Sequence, residues 1–309
     1  MKEIKNILIC GLGAIGTIYA AKFFKHTGLN LKILIDESRL SRYKDSYTCY
    51  NGEKYKFDFV LPSKNDFKAD LVIIATKNKD FETVLNNIKN YVSEDTIIMS
   101  LLNGLKSEEN IIEQYGENHL LYSYFIGHTS TRNGREITQD GVYKTVFGEK
   151  YNNAYSDKVI CVKELFDKTN IPYDIPVDME YSNWWKFVLN VGYNQASALL
   201  NADYNAFQKS QKINNIAIKL MEETVAVAKA LGVNNTEKII PDIIKVIEKM
   251  LPETRTSMLQ DIDAKRQTEV DAFSGYVIEL SEKYGIETPY NKFVYECIKA
   301  IDEKNLIRY

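Results

Sequence analysis

Two sets of residues in this chain have the types and spacing that chemistry needs. The first is Gly11-x-Gly13-x-x-Gly16, with Leu12, Ala14 and Ile15 between the glycines. In such a loop the first glycine permits a tight turn. The second lets backbone approach a pyrophosphate, and the third lets a helix pack close on a strand. The free N–H groups and partial positive charge of the helix N-terminus then face the phosphates. Asp36 stands twenty residues after Gly16, where such folds place the acid that holds the adenine ribose. A carboxylate there accepts from the 2′- and 3′-hydroxyls of NAD and repels the 2′-phosphate of NADP, so NADH is favoured. Arg39 and Arg42 follow closely and could offset that repulsion; the plainer role for Asp36 is to cap the next turn.

The second set lies in the other half of the chain. Lys186, Asn190 and Asn194 recur every four residues. On a helix each such step turns by about 40° and rises about 6 Å, so the three share one face. Trp184, Phe187, Val188, Leu189 and Val191 surround them, and polar groups in so apolar a helix need partners. A ligand and a structural hydrogen-bond network are both candidates. Further on, Ser257 and Glu269 are twelve apart, about 18 Å along an unbroken helix. Both address one small substrate only if the helix bends or the ligands extend along it. Ser257 with Gln260 also matches a capping box, whose plain meaning is an N-cap.

The elements that would position these residues follow from patterning. Ile4–Cys10 is a short apolar run suited to a strand buried on both faces, and Thr17–Phe24 continues as a helix. Leu31–Ile35, Ala69–Thr76 and Thr96–Leu101 are further strands, and Asp80–Tyr91 is an amphipathic helix. Ligands in parallel α/β sheets bind beyond the carboxyl ends of strands, which puts Lys77 and Asn103 within reach of one. A solvated lysine and a turn asparagine are the alternatives. Tyr47–Leu61 reads as a hairpin about Asn51-Gly52. Leu120–Phe125 and Val142–Phe147 add strands, with a polar turn at 132–135 between them. The first half is thus expected to be a parallel, doubly wound α/β sheet. After Pro172 and Pro176 helical periodicity takes over: 178–200, 213–231, 237–250 and a last helix from about Pro289. The boundary expected is 1–176 for the dinucleotide-binding domain and 177–309 for an all-α C-terminal domain.

Composition agrees with this division. A chain of 309 residues suits two domains. A hydrophobic content of 45% and a net charge of −3 fit a globular protein without affinity for polyanions. No run approaches the ~18 apolar residues of a membrane span, and no secretory signal is expected. Four scattered cysteines without a CxxC are expected reduced in the cytoplasm. Three histidines lack ligand spacing, so no metal site is expected.

Together these motifs resemble the ketopantoate reductase (2-dehydropantoate 2-reductase) family over nearly the whole chain. The resemblance rests on the GLGAIG loop, Lys77, Asn103-Gly104, Lys186-x3-Asn190-x3-Asn194, and SMLQD…TEVDAFSG with Ser257, Asp261 and Glu269. It implies an N-terminal Rossmann domain, a helical C-terminal domain and an active site in the cleft between them. It also implies that NAD(P)H delivers hydride to the C2 carbonyl of ketopantoate, giving pantoate for pantothenate synthesis. Lys186 matches the family's proton donor, and Glu269 the carboxylate that orients it and lies near the nicotinamide. Asn190, Asn194 and Ser257 match groups that hold the substrate. Asn103 matches a contact to both substrate and cofactor, and Lys77 a cofactor contact. The partners expected are a small 2-oxo acid and a second copy of the chain in a homodimer, with no nucleic acid and no membrane. Three departures stand out: Asp36 where NADPH-using members carry a basic residue, Lys106 in place of glycine, and His128 where small residues are common. The alternatives are a reductase of another branched 2-oxo acid, including relatives of the opine and hydroxy-acid dehydrogenases, and a cofactor-sensing Rossmann protein without turnover.

Overall fold

The computed structural model describes residues 3–43, 46–64, 66–127 and 130–307. The chain forms two compact units. One runs to Leu102 and resumes over Ser107–Met179; the other comprises Asn103–Lys106 and the chain from Glu180 onward. Where the sequence reading cut once, at 176/177, the contacts also lift the short segment Asn103–Lys106 out of the first unit.

The first unit is built on strand β1 (Asn6–Cys10), buried everywhere except Asn6. Helix α1 (Ala14–Phe24), β2 (Asn30–Leu34) and α2 (Glu37–Tyr43) follow. Next come the hairpin β3 (Thr48–Tyr50) and β4 (Glu53–Tyr55), then β5 (Phe59–Val60), β6 (Leu71–Ile74), α3 (Phe81–Asn87) and β7 (Ile97–Ser100). The main sheet has the order β5-β2-β1-β6-β7, and every pairing is parallel. Side chains alternate across a strand, and here both faces are covered. Ile7 and Ile9 join Ile18, Tyr19 and Phe23 of α1 in one core, while Leu8 and Cys10 join Phe81 and Leu85 of α3 in another. Helices on both faces of a parallel sheet make the doubly wound layout. The β3–β4 hairpin turns at Asn51 and Gly52, both at positive φ (48° and 82°), as a type I′ turn requires.

The rest of this unit departs from the parallel pattern. After α4 (Lys106–Tyr115) come β8 (Tyr122–Gly127), β9 (Ser130–Asn133), β10 (Glu136–Gln139) and β11 (Tyr143–Gly148). The two strands expected near 120–125 and 142–147 pair antiparallel with each other as β8 and β11. The polar stretch between them, expected as a turn alone, forms the β9–β10 hairpin, with Gly134 at φ 61° in its two-residue loop. Its residues lack an apolar face long enough to read as strand. They order instead by pairing β10 with β3 in a second sheet. Helix α5 (Asp157–Thr169) and β12 (Tyr173–Asp174), parallel to β11, complete the unit.

The second unit is helical throughout its described residues. Helix α6 (Met179–Leu189) runs into a π-helical turn, Asn190–Asn194, and then α7 (Gln195–Leu200). Next are α8 (Tyr204–Lys209), α9 (Gln211–Ala230), α10 (Thr236–Ile247), α11 (Ser257–Asp263), α12 (Ser274–Tyr284) and α13 (Pro289–Ile307). The single core draws on Phe187, Val188, Val191, Leu220, Met221, Ile239, Phe273, Val277 and Ile298.

Candidate active site

The glycine loop owes its path to backbone crowding. Gly11 sits at φ 102°, and a Cβ there would lie 2.6 Å from the Ala75 carbonyl oxygen. A Cβ on Gly16 would lie 1.9 Å from the Gly11 carbonyl oxygen, so α1 meets β1 closely only through glycine. Gly13 is the N-cap of α1 and offers no side-chain cap, and no acid occupies the first turn. The first N–H groups of α1 are thus left for an anion. Beside the loop, the buried hydroxyls of Thr17 and Thr76 have no hydrogen-bond partner among the described residues, a cost a bound ligand would relieve. A groove past the ends of β1, β2 and β6 is lined by Gly11, Leu12, Asp36, Arg39, Tyr43 and Thr76. These features fit a dinucleotide phosphate and ribose. Thr76, Tyr43 and the α3 residues lining the groove carry no sequence signal and emerge only from the fold.

Asp36 serves two purposes. Its carboxylate accepts from the Arg39 N–H at 3.0 Å and from the Ser38 hydroxyl, so it caps α2 while it lines the groove. The Ser38 hydrogen bond chiefly holds its pKa below the usual aspartate range. Arg39 Nε lies 3.4 Å from the same carboxylate, which engages part of its charge. The side chain of Arg42 and the whole of His128 lie outside the described residues. Lys77, exposed, follows Thr76 and precedes a short 3₁₀ turn at Asn78–Asp80.

In the helical unit five of the sequence-predicted residues join in one hydrogen-bonded chain. Asn194 Nδ2 donates to Ser257 Oγ and to Asn190 Oδ1, each at 3.3 Å. Asn190 Nδ2 donates to Asn103 Oδ1 at 3.3 Å, and Asn103 Nδ2 to Glu269 Oε2 at 3.1 Å. The chain runs from exposed Ser257 through buried Asn194 and Asn190 to partly exposed Asn103 and Glu269. Its polarity has a chemical cause. An ionised carboxylate only accepts, so Asn103 turns its amide NH₂ toward Glu269 and leaves its oxygen for Asn190, which in turn leaves its oxygen for Asn194.

Local structure makes this chain possible. The π turn begins at Asn190, and the side-chain Nε2 of Gln195, just past it, donates to the Val191 carbonyl at 2.7 Å. Gly192 lets α9 approach, since a Cβ there would lie 2.4 Å from Met221 Cγ. Thr256, not Ser257, is the N-cap of α11 and accepts from the Leu259 N–H at 3.3 Å. The capping-box role expected for Ser257 is therefore filled by its neighbour, which leaves the Ser257 hydroxyl for Asn194. Helix α11 stops at Asp263, and Lys265 at φ 55° reverses the chain. Ser257 and Glu269 therefore do not lie on one unbroken helix, and three asparagines connect them. Buried Asp261 accepts from Arg266 Nε at 2.7 Å across the same break. Lys106 donates to Glu279 at 2.6 Å and lies 5.8 Å from the Tyr276 ring.

Lys186 sits one turn before Asn190 in α6 and is only partly exposed. Loss of hydration pushes its ammonium down to about 8. Among the described residues no ion pair joins it to Glu269, whose carboxylate accepts from Asn103. An amine that titrates at about 8 can give up a proton to a developing alkoxide.

Models of one family account for both units: "Ketopantoate reductase PanE/ApbA" matches residues 7–152, and "Ketopantoate reductase PanE/ApbA C terminal" matches residues 178–302. The chain belongs to the ketopantoate reductase family. Among similar proteins, the 2-dehydropantoate 2-reductase of Aquifex aeolicus is 28% identical over 308 residues, covering 98% of this chain and 99% of its own. The ternary structure of D-mandelate dehydrogenase with NADH and anilino(oxo)acetate has a TM-score of 0.83 at 22% identity, covering 97% of this chain and 99% of that one. The dimeric ketopantoate reductase of Staphylococcus aureus has a TM-score of 0.80 at 19% identity, with the same coverages. Both structures share the fold. Of the positions that carried the family resemblance in the sequence, Asn103, Asn190, Asn194, Ser257 and Glu269 lie in the polar chain, whereas Thr256 and Asp302 act around it without forming part of any sequence motif, and Thr268 opens the TEVDAFSG segment without a role expected of it. No described helix is long and apolar enough to cross a membrane.

Proposed function

We propose that this chain catalyses the reduction of 2-dehydropantoate to pantoate, with NAD(P)H as reductant. The observation that carries this reading is the polarised chain from Ser257 through Asn194, Asn190 and Asn103 to Glu269, with the depressed Lys186 one turn before Asn190 in the sequence. Gly11, Leu12, Gly13, Ala14, Ile15 and Gly16 would hold the cofactor's pyrophosphate, Asp36 its ribose, and Lys77, Asn103 and Glu269 its remaining length. When bound, the cofactor supplies the hydride for C2 of the oxo acid. Asn190, Asn194 and Ser257 hold the substrate's carboxylate and hydroxyl. Lys186 stabilises negative charge as it grows on the C2 oxygen, then transfers a proton from Nζ to that oxygen and is recharged from water. Glu269, through Asn103, fixes the amide orientations that face the substrate. The test is a panel of 2-oxo acids with NADH and NADPH. Turnover is expected on 2-dehydropantoate; activity confined to other 2-oxo acids, or cofactor binding without any turnover, would overturn the reading.

The same reading favours NADH. A 2′-phosphate would meet the ionised Asp36, and the repulsion costs about 1–2 kcal/mol after allowance for solvent and for Arg39, roughly 5- to 30-fold in binding. The expected result is a higher kcat/KM with NADH, and a gap that narrows in Asp36→Asn; an NADPH preference in the unaltered chain would refute it. A cytoplasmic location belongs to this proposal, in keeping with four free cysteines. So does a homodimer, which sedimentation would test.

A further inference from the structure

Glu269 terminates the polar chain, yet it stands in a short connection between α11 and α12, where a carboxylate would ordinarily wander. The residues on both sides of it are tied to the last helix. Asp302 accepts from the Thr268 N–H at 3.2 and 3.3 Å and from the Thr268 hydroxyl at 2.7 Å. Asp271 accepts from the Tyr295 hydroxyl at 2.8 Å and from Lys299 Nζ at 3.2 Å to each of its oxygens. Tyr295, Lys299 and Asp302 stand at i, i+4 and i+7, one face of α13. Thr268 and Asp302 are both buried, at 6% and 8% exposure.

We propose that this face of α13 is a positioning clamp for Glu269: it holds Thr268 and Asp271 so that the intervening carboxylate stays on Asn103. The inference rests on the reading of Glu269 as a site residue. Three details argue for positioning rather than core stability. Burial pushes the Asp302 carboxyl up, and a buried acid is a poor choice where an apolar side chain would pack at less cost. Among the described residues, all three hydrogen bonds to Asp302 come from the one residue preceding Glu269. The opposite side of the connection is also fixed, because Ala272's carbonyl lies against Gly104, where an added Cβ would approach it to 3.3 Å. The connection is thus held between α13 and the segment that carries Asn103. A misplacement of about 1 Å at such a site costs up to ~100-fold in rate.

The experiment is a double-mutant cycle of Thr268→Val and Glu269→Gln, read by kcat, KM, melting temperature and hydrogen exchange over residues 268–272, with 2-dehydropantoate and NADH. Thr268→Val keeps the volume and removes the hydroxyl. It is expected to lower kcat about 10- to 100-fold with little change in KM, and to speed exchange over 268–272. Thr268→Ser should restore turnover. In the Glu269→Gln background Thr268→Val should cost no further kcat, since residues acting as a unit are non-additive, while its effect on melting persists. Asp302→Asn, which keeps one acceptor oxygen, should show the same pattern more weakly and serves if Thr268→Val fails to fold. A lowered melting temperature with normal kcat, or an equal loss of kcat in both backgrounds, overturns the clamp. Normal turnover in Glu269→Gln itself overturns the role of Glu269 instead, a separate and distinguishable failure.

Discussion

In the proposed reaction Lys186 concentrates the chemistry into one side chain. An ordinary lysine at pH 7 is charged but reluctant to release its proton; loss of hydration brings this one to about 8, within reach of both forms. Its replacement by Ala is expected to lower kcat by the ~10²–10⁴-fold typical of a lost general acid, with a smaller effect on KM. The protein should not unfold, because the change removes a charge that burial disfavours. In the unaltered chain the reduction rate should fall as pH rises through about 8, where the donor proton is lost. Normal turnover in Lys186→Ala, measured on the preparation used for melting, would remove the assignment. At this scale the sequence was informative where spacing alone sets geometry, as for Lys186, Asn190 and Asn194. It was ambiguous where two adjacent residues compete for one task. Thr256 and Ser257 can each cap a helix, and only the backbone at 256, extended at φ −66° and ψ 159°, decides between them.

The element that shapes the site is the π turn at Asn190–Asn194, which lies between two ordinary helices. Such turns leave carbonyls without their usual partners and recur at functional positions. Gly192 at its centre decides how near α9 can pack. By helix propensity alone, Gly192→Ala would stabilise by about 1 kcal/mol. Sterics oppose this: the new Cβ would sit 2.4 Å from Met221 Cγ and 3.1 Å from the Ala217 carbonyl oxygen, both on a well-packed helix. Overpacking of this kind costs about 1–3 kcal/mol, so the net change should be destabilising by denaturant melts. KM should rise as Asn190 and Asn194 shift. A stabilised variant with unchanged KM would show that α9 yields freely. The π turn is illegible in the sequence because the weak helix propensity of Asn, Val, Tyr and Gly does not distinguish a π turn from an ordinary helical one. The break after α11 was legible as one of two ways for Ser257 and Glu269 to address one substrate, the other being ligands extended along an unbroken helix. Its location was not, because it depends on Lys265 adopting a left-handed backbone. The β9–β10 hairpin escaped for a similar reason: β10 pairs with residues of β3 that lie 87 positions earlier, and tertiary pairing rather than local pattern orders it.

At the scale of the whole molecule, each unit holds a group that loss of hydration brings to about 8. In the sheet unit Glu108 is buried at the start of α4, accepts from the Ser107 hydroxyl at 2.7 Å, and is pushed up to about 8 by loss of hydration. In the helical unit Lys186 is pushed down to about 8 by the same cause. The consequences for stability have opposite signs. From about pH 4.5 to 8 the folded chain holds a proton on Glu108 that the unfolded chain has lost, so stability falls as pH rises. From about 8 to 10.5 the unfolded chain holds a proton on Lys186 that the folded chain has lost, so stability rises with pH. The two limbs meet in a minimum near pH 8, below the range above about 9 in which Cys10 and Tyr19, both pushed up by burial, lower stability again as pH rises. Shifts of a few pKa units correspond to a few kcal/mol, and in a chain of this size to a dip on the order of 5 °C in melting temperature. Glu108→Gln cannot ionise and keeps a hydrogen-bonding oxygen for Ser107. It should abolish the falling limb and leave the rising one, and Lys186→Met should do the reverse. A melting profile flat or peaked across pH 7–9 in the unaltered chain would show that water reaches one of these groups and that its burial is not what the packing implies.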